Sequence, residues 1–155
     1  MTSLRDLLMV CDESIRSRLE PDEEVLATGR CEDITEHGSI SSGGATWTYV
    51  MVTSRRLRWV PRSKLRFEAA IHLDDVTAVA ERTKAHRYAI TVRHAPLRRL
   101  HWVPAHRFLI FRWGNAERVE EFRRTRLAFS QPDTVAAQAL RDELRHRGKL
   151  SASAC

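Results

Sequence analysis

The densest run of chemistry in this sequence is six basic side chains within twelve residues: Arg55, Arg56, Arg58, Arg62, Lys64 and Arg66. Guanidinium groups contact phosphate oxygens two at a time, so a stripe of them suits an anionic partner. The same residues also fit a plainer role, because a charged outer sheet face keeps a protein soluble. A second group is His94, His101 and His106, which lie around one connection and could converge on a substrate. No HExxH and no Cys/His ligand spacing accompanies them, so the sequence offers no metal site. Asp74-Asp75 is a carboxylate pair, but neighbouring extended residues face opposite sides and do not share a proton. A turn suits the pair better. The sequence contains no GxSxG, Walker or Rossmann pattern, so no catalytic residue is assigned and no cofactor is expected.

Four tryptophans offer a different chemistry, since aromatic platforms beside a basic groove bind single-stranded nucleic acid. Trp47 shares a strand face with Tyr49 and Met51, and Trp59 shares one with Leu57, which places both in a core. Trp102 and Trp113 flank Pro104 and a Gly114-Asn115 turn and are the candidates for an exposed aromatic surface. Neither an RNA-recognition signature nor a helix-turn-helix accompanies them.

The composition limits what these residues can belong to. A length of 155 residues suits one domain, and 43% hydrophobic with 30% charged residues excludes a disordered tail. The net charge of +6 points to an anionic partner. It is unevenly spread, with residues 1–54 carrying −6 and residues 55–155 carrying +12. Cys11, Cys31 and Cys155 are too few and too scattered for a disulfide framework or a zinc knuckle. No apolar run approaches the roughly 20 residues of a membrane span. With no secretory leader pattern either, a cytoplasmic location is expected.

Apolar spacing then predicts the elements. Leu4, Leu8, Cys11, Ile15 and Leu19 form one stripe of a helix over 3–19, capped by Ser3 and stopped before Pro21. Beyond it the period falls to two. Strands are expected at 25–31, 46–53, 56–60, 67–73, 76–82, 87–94 and 125–129, with a Gly/Ser loop over 35–45. Pro96 and Pro104 are expected to break the chain, and 107–113 reads as a further strand. Residues 116–124 fit helix or strand equally. A helix over 131–147 ends at Gly148. No repeat or linker divides the chain, so residues 1–155 form one domain.

Several short motifs resemble those of bacterial pleckstrin-homology-like and GRAM-like domains. Tyr49-Val-Met-Val-Thr53-Ser-Arg-Arg56-Leu57 followed by Ala70-Ile71-His-Leu73-Asp-Asp75-Val76 is one such pair. Pro21-Asp-Glu-Glu24-Val25-Leu26 is similar to the entry into their first strand, and Phe129-Ser130 with Val135–Leu144 is similar to their close. The resemblance covers residues 20–147. It implies an α+β fold: a partly open antiparallel barrel of about seven strands with a C-terminal capping helix. It also implies a bacterial, non-catalytic binding or scaffolding module for a protein segment or an anionic lipid surface. The loop over 35–45 lacks Lys and Arg, unlike that of phosphoinositide-reading members. Contact is therefore expected at 55–66. The alternatives are nucleic-acid binding through that stripe with Trp102 or Trp113, and an enzyme using His94, His101 or His106. Self-association of the acidic N-terminal segment with a basic face is a further expectation.

Overall fold

The computed structural model describes residues 4–37, 48–61, 69–103, 105–114, 116–132 and 134–150. Helix α1 (Leu4–Arg16) is followed by β1 (Val25–Cys31) and β2 (Asp33–His37), then by β3 (Thr48–Thr53), β4 (Arg56–Pro61) and β5 (Ala69–His72). A 3-10 turn at Leu73–Asp75 leads to β6 (Ala78–Lys84) and β7 (Arg87–Val103). The chain ends with β8 (His106–Phe108), β9 (Phe111–Trp113), β10 (Ala116–Phe129) and α2 (Val135–His146). The architecture is α+β, with two four-stranded antiparallel sheets ordered β1-β3-β4-β5 and β2-β10-β7-β6. They do not close into a barrel. A separate β8–β9 hairpin projects from the end of β7.

The sheets face one another across the main core. Val50, Val52, Leu57 and Trp59 of the first sheet meet Ile90, Val92, Leu127 and Phe129 of the second, and Leu140 and Leu144 of α2 join them. All six residues of β3 are buried because this strand is covered on both faces. Its other face, with Tyr49 and Met51, packs with Val60 beneath Cys11 and Ile15 of α1. The expected helical stripe is thus the surface that seals the outer side of the first sheet. A polar link crosses the main core where Trp59 donates its indole N–H to Glu36 at 3.0 Å, joining β4 to β2.

Several expectations change, among them the start of the C-terminal helix, which lies at Val135 rather than 131. Residues 35–37 belong to β2, where the Gly/Ser loop was expected to begin; 38–47, with Trp47, lie outside the described residues. Pro96 does not break β7. The ladder with β10 steps from Arg93↔Arg124 to Leu97↔Phe122, so His94, Ala95 and Pro96 bulge opposite Arg123. A bulge is where a residue without an N–H fits a sheet. Residues 107–113 are a hairpin rather than one strand, turned at Leu109, whose φ of 51° is left-handed. Residues 116–124 are strand throughout, paired with β7.

Helix α2 ends as its sequence predicts. Gly148 sits at φ 68°, and Lys149 N–H reaches back to the Leu144 carbonyl at 2.8 Å. This is the six-to-one bond of a glycine-terminated helix. A Cβ at Gly148 meets nothing within 4 Å, so only the backbone opposes substitution. Gly148→Ala should therefore cost about 1 kcal/mol in urea denaturation, the penalty for a left-handed non-glycine residue.

Candidate functional site

The basic stripe has partners within the chain. Pro21 turns the chain between α1 and β1 so that Glu20, Asp22 and Glu23 meet the start of β4. Arg55 pairs with Glu20 at 2.7 Å and with Asp22, while Arg56 pairs with Glu20 and reaches Glu23 at 3.4 Å. Arg58 grips Glu23 with a two-pronged contact, Nη2 at 2.9 Å and Nε at 3.3 Å. Thr53 donates its hydroxyl to Glu23 Oε1 at 2.6 Å and accepts the Arg56 backbone N–H at 2.8 Å. Arg58 is only 4% exposed, not part of a solvated outer face. Burial alone would raise the Glu23 carboxyl, but the hydrogen bonds from Arg58 and Thr53 outweigh it and hold it at about 2. Arg62, Lys64 and Arg66 lie outside the described residues.

The acids were visible as a run before β1. Their target was not, because partners more than 30 residues apart leave no periodic trace.

His94 and His106 are not brought together. His94 sits at the β7 bulge, and His106 begins the hairpin beyond the other end of that strand. With about 3.3 Å per residue, nine residues from His94 to Val103 set them on the order of 30 Å apart. The side chain of His101 is not among those described. His94 is buried with both ring nitrogens engaged: Nδ1 lies 2.7 Å from the Ala95 carbonyl and Nε2 lies 2.9 Å from Thr125 Oγ1. A carbonyl only accepts, so Nδ1 carries the proton and Thr125 donates to Nε2. Burial pushes the pKa of His94 below 6.5, against the Ala95 hydrogen bond, which raises it. This ring is a structural link between β7 and β10.

The exposed surface of interest lies elsewhere. Past the bulge, β7 and β10 pair only with each other among the described residues, since β6 and β2 pair no further than Arg93 and Arg124. They form an arm that ends in the β8–β9 hairpin. At its tip Phe108, Leu109, Ile110 and Phe111 are 65–86% exposed, and Trp113 is 53% exposed. Arg107 and Arg112 stand opposite each other in the hairpin register. His106 stacks on Trp113 with ring centroids 5.7 Å apart. Of the two candidate surface tryptophans Trp113 is exposed, and the side chain of Trp102 is not described. The tip's sequence signal was an apolar run with arginines at both sides, read as a strand because apolar strands look the same.

No protein-family model matches the chain, and no curated protein matches it. No helix among the described residues is long and apolar enough to cross a membrane. No cluster of three metal-ligating side chains occurs among them either.

Two measurements check this geometry. Glu23→Gln should destabilise the fold by about 3 kcal/mol, because it removes the buried charge that meets Arg58 in the two-pronged contact. Calorimetry of wild type and variant would show it, and a shift of a few tenths would refute the pairing. The pH profile carries both titrating groups. The unfolded His94 takes up a proton as pH falls through 6.5 while the folded ring resists, so stability should decline below that value. A second loss should run from about 4.5 down to 2, where the folded Glu23 is finally protonated. His94→Gln should remove the first decline only.

Proposed function

We propose that this chain is a non-catalytic, pleckstrin-homology-like binding module whose arm tip enters an anionic lipid surface. Element order supports the family reading. Glu32 alone separates β1 from β2, so these count as one bent strand shared by both sheets. Seven consecutive antiparallel strands and a closing helix then remain, with the β8–β9 hairpin as an addition at the turn between β7 and β10.

The observation that carries the lipid reading is the exposed run Phe108–Phe111 at the end of an arm, flanked by two arginines. Monomeric proteins seldom present contiguous apolar side chains on a projecting element without a partner for them. A bilayer interface accepts all the parts. The apolar residues enter the acyl boundary, Trp113 takes the headgroup level, and arginine stems extend while their charges stay in water. Each arginine near an anionic surface contributes about 1 kcal/mol. Residues 105–114 include two arginines and no acid, so the charge at the tip reinforces apolar insertion. Arg55, Arg56 and Arg58, by contrast, are already matched by acids of the same chain, which leaves less charge for a nucleic-acid backbone at that stripe.

Sedimentation with vesicles tests this. Wild type should bind phosphatidylglycerol vesicles, more weakly as salt rises, with a blue shift of tryptophan emission. A double variant, Ile110→Ser with Phe111→Ser, should bind at least tenfold more weakly without loss of thermal stability. Equal binding by the double variant would end the proposal. Emission quenched by oligonucleotides but unaffected by vesicles would replace it with the nucleic-acid reading.

A further inference from the structure

At the base of the arm lies an open cavity of about 750 Å³, walled by segments distant in sequence. The bulge contributes Arg93, His94 and Pro96 from β7 and Arg123 from β10. The 3-10 turn contributes Asp74 and Asp75, and the segment after α2 contributes Lys149. Asp74 is already held by Arg147, and Lys149 donates to the Asp74 backbone carbonyl at 3.2 Å. Arg123 shares Glu121 with Arg98. Among the described residues, neither the Arg93 guanidinium nor the Asp75 carboxylate has a polar partner. They line one cavity as opposite charges and yet form no ion pair with each other.

The surroundings of Arg93 sharpen this. Its direct neighbour across the ladder is Arg124, and like charges facing one another in a sheet are destabilising. An anion seated beside Arg93 offsets that repulsion. Around it, Lys149 has ammonium protons to spare after its one bond to Asp74, and Arg123 presents a second guanidinium. On the other wall, Asp75 calls for a cation. A phosphate alone would satisfy the basic side and leave Asp75 facing a second negative charge.

We infer that this cavity binds a small zwitterionic phosphate ester, with its phosphate at Arg93, Arg123 and Lys149 and its ammonium group at Asp75. Two sources carry that chemistry: a soluble phosphoamine, and the headgroup of an amine-bearing phospholipid. The inference does not depend on insertion of the arm tip, which lies at the far end of the ribbon.

Isothermal titration of the whole chain with O-phosphoethanolamine, glycerophosphoethanolamine, inorganic phosphate and ethanolamine tests it. The amine phosphates should bind about tenfold or more tightly than phosphate or ethanolamine alone, the worth of one added charged contact. Stronger binding of the monoester would assign the soluble source, and stronger binding of the diester the lipid headgroup. Arg93→Ala should abolish binding of both esters. Asp75→Asn should erase the preference for an amine, leaving phosphate and the esters equal. Both positions are exposed, and unchanged melting temperatures would exclude unfolding as the cause. Equal wild-type affinity for phosphate and both esters, or ester binding indifferent to Arg93→Ala, would overturn the inference. The tip variant Ile110→Ser/Phe111→Ser should leave these titrations unchanged, so failure of the membrane reading would be seen separately.

Discussion

The carboxylate of Glu23 is the constraint on which the N-terminal half of the molecule depends. Its side chain is fully buried, and a lone charge there would cost several kcal/mol. Two prongs of Arg58, the Thr53 hydroxyl and a backbone N–H from Glu20 meet its two oxygens and offset that cost. Each partner belongs to a different piece of chain, so satisfying one charge fixes the turn after α1, the end of β3 and the first half of β4. The direction of α1 follows. Once the turn is pinned, the helix can lie only across the outer face of β3, where Tyr49 meets Asp12 and Cys11 meets the apolar side.

This arrangement also accounts for the lopsided distribution of charge along the chain. The acidic first third and the basic remainder are not two surfaces awaiting two ligands. Much of the opposition is consumed where Glu20, Asp22 and Glu23 meet Arg55 and Arg56. Smaller pairs do the same at Arg126 with Asp33 and Arg87 with Glu32. On the second sheet like charges stand side by side instead, with Arg93 opposite Arg124 in the β7–β10 ladder.

How far the sequence disclosed this depended on the range of the interaction. Helix α1 was legible because its stripe repeats every three or four residues, and it falls three residues short of Leu19 only because the last turn tightens before Pro21. The β3 and β4 faces were legible from alternation, down to Leu57 and Trp59 sharing a side. The arm was not. Proline signals a break when read locally, and only the opposing strand shows that three residues can bulge around Pro96 while the ladder resumes. The stripe's partners were equally hidden, since ion pairs between residues 20–23 and 55–58 obey no local rule. Leu109 gave no warning of a left-handed turn, a conformation usually marked by glycine or asparagine.

The arm's isolation from the rest of the second sheet has an evolutionary corollary. Past the bulge these strands bond only to each other among the described residues, so they can be lengthened or trimmed without disturbing the ladders of β2 or β6, provided both lose or gain together. Such changes come in matched steps of one residue per strand, and two steps restore every side chain to its original face. The body of the fold, with its doubly covered β3 and buried Glu23, has no comparable freedom. Reach and tip composition can therefore drift quickly among descendants of this chain while its interior stands still, so that relatives would differ most in the part that meets the outside.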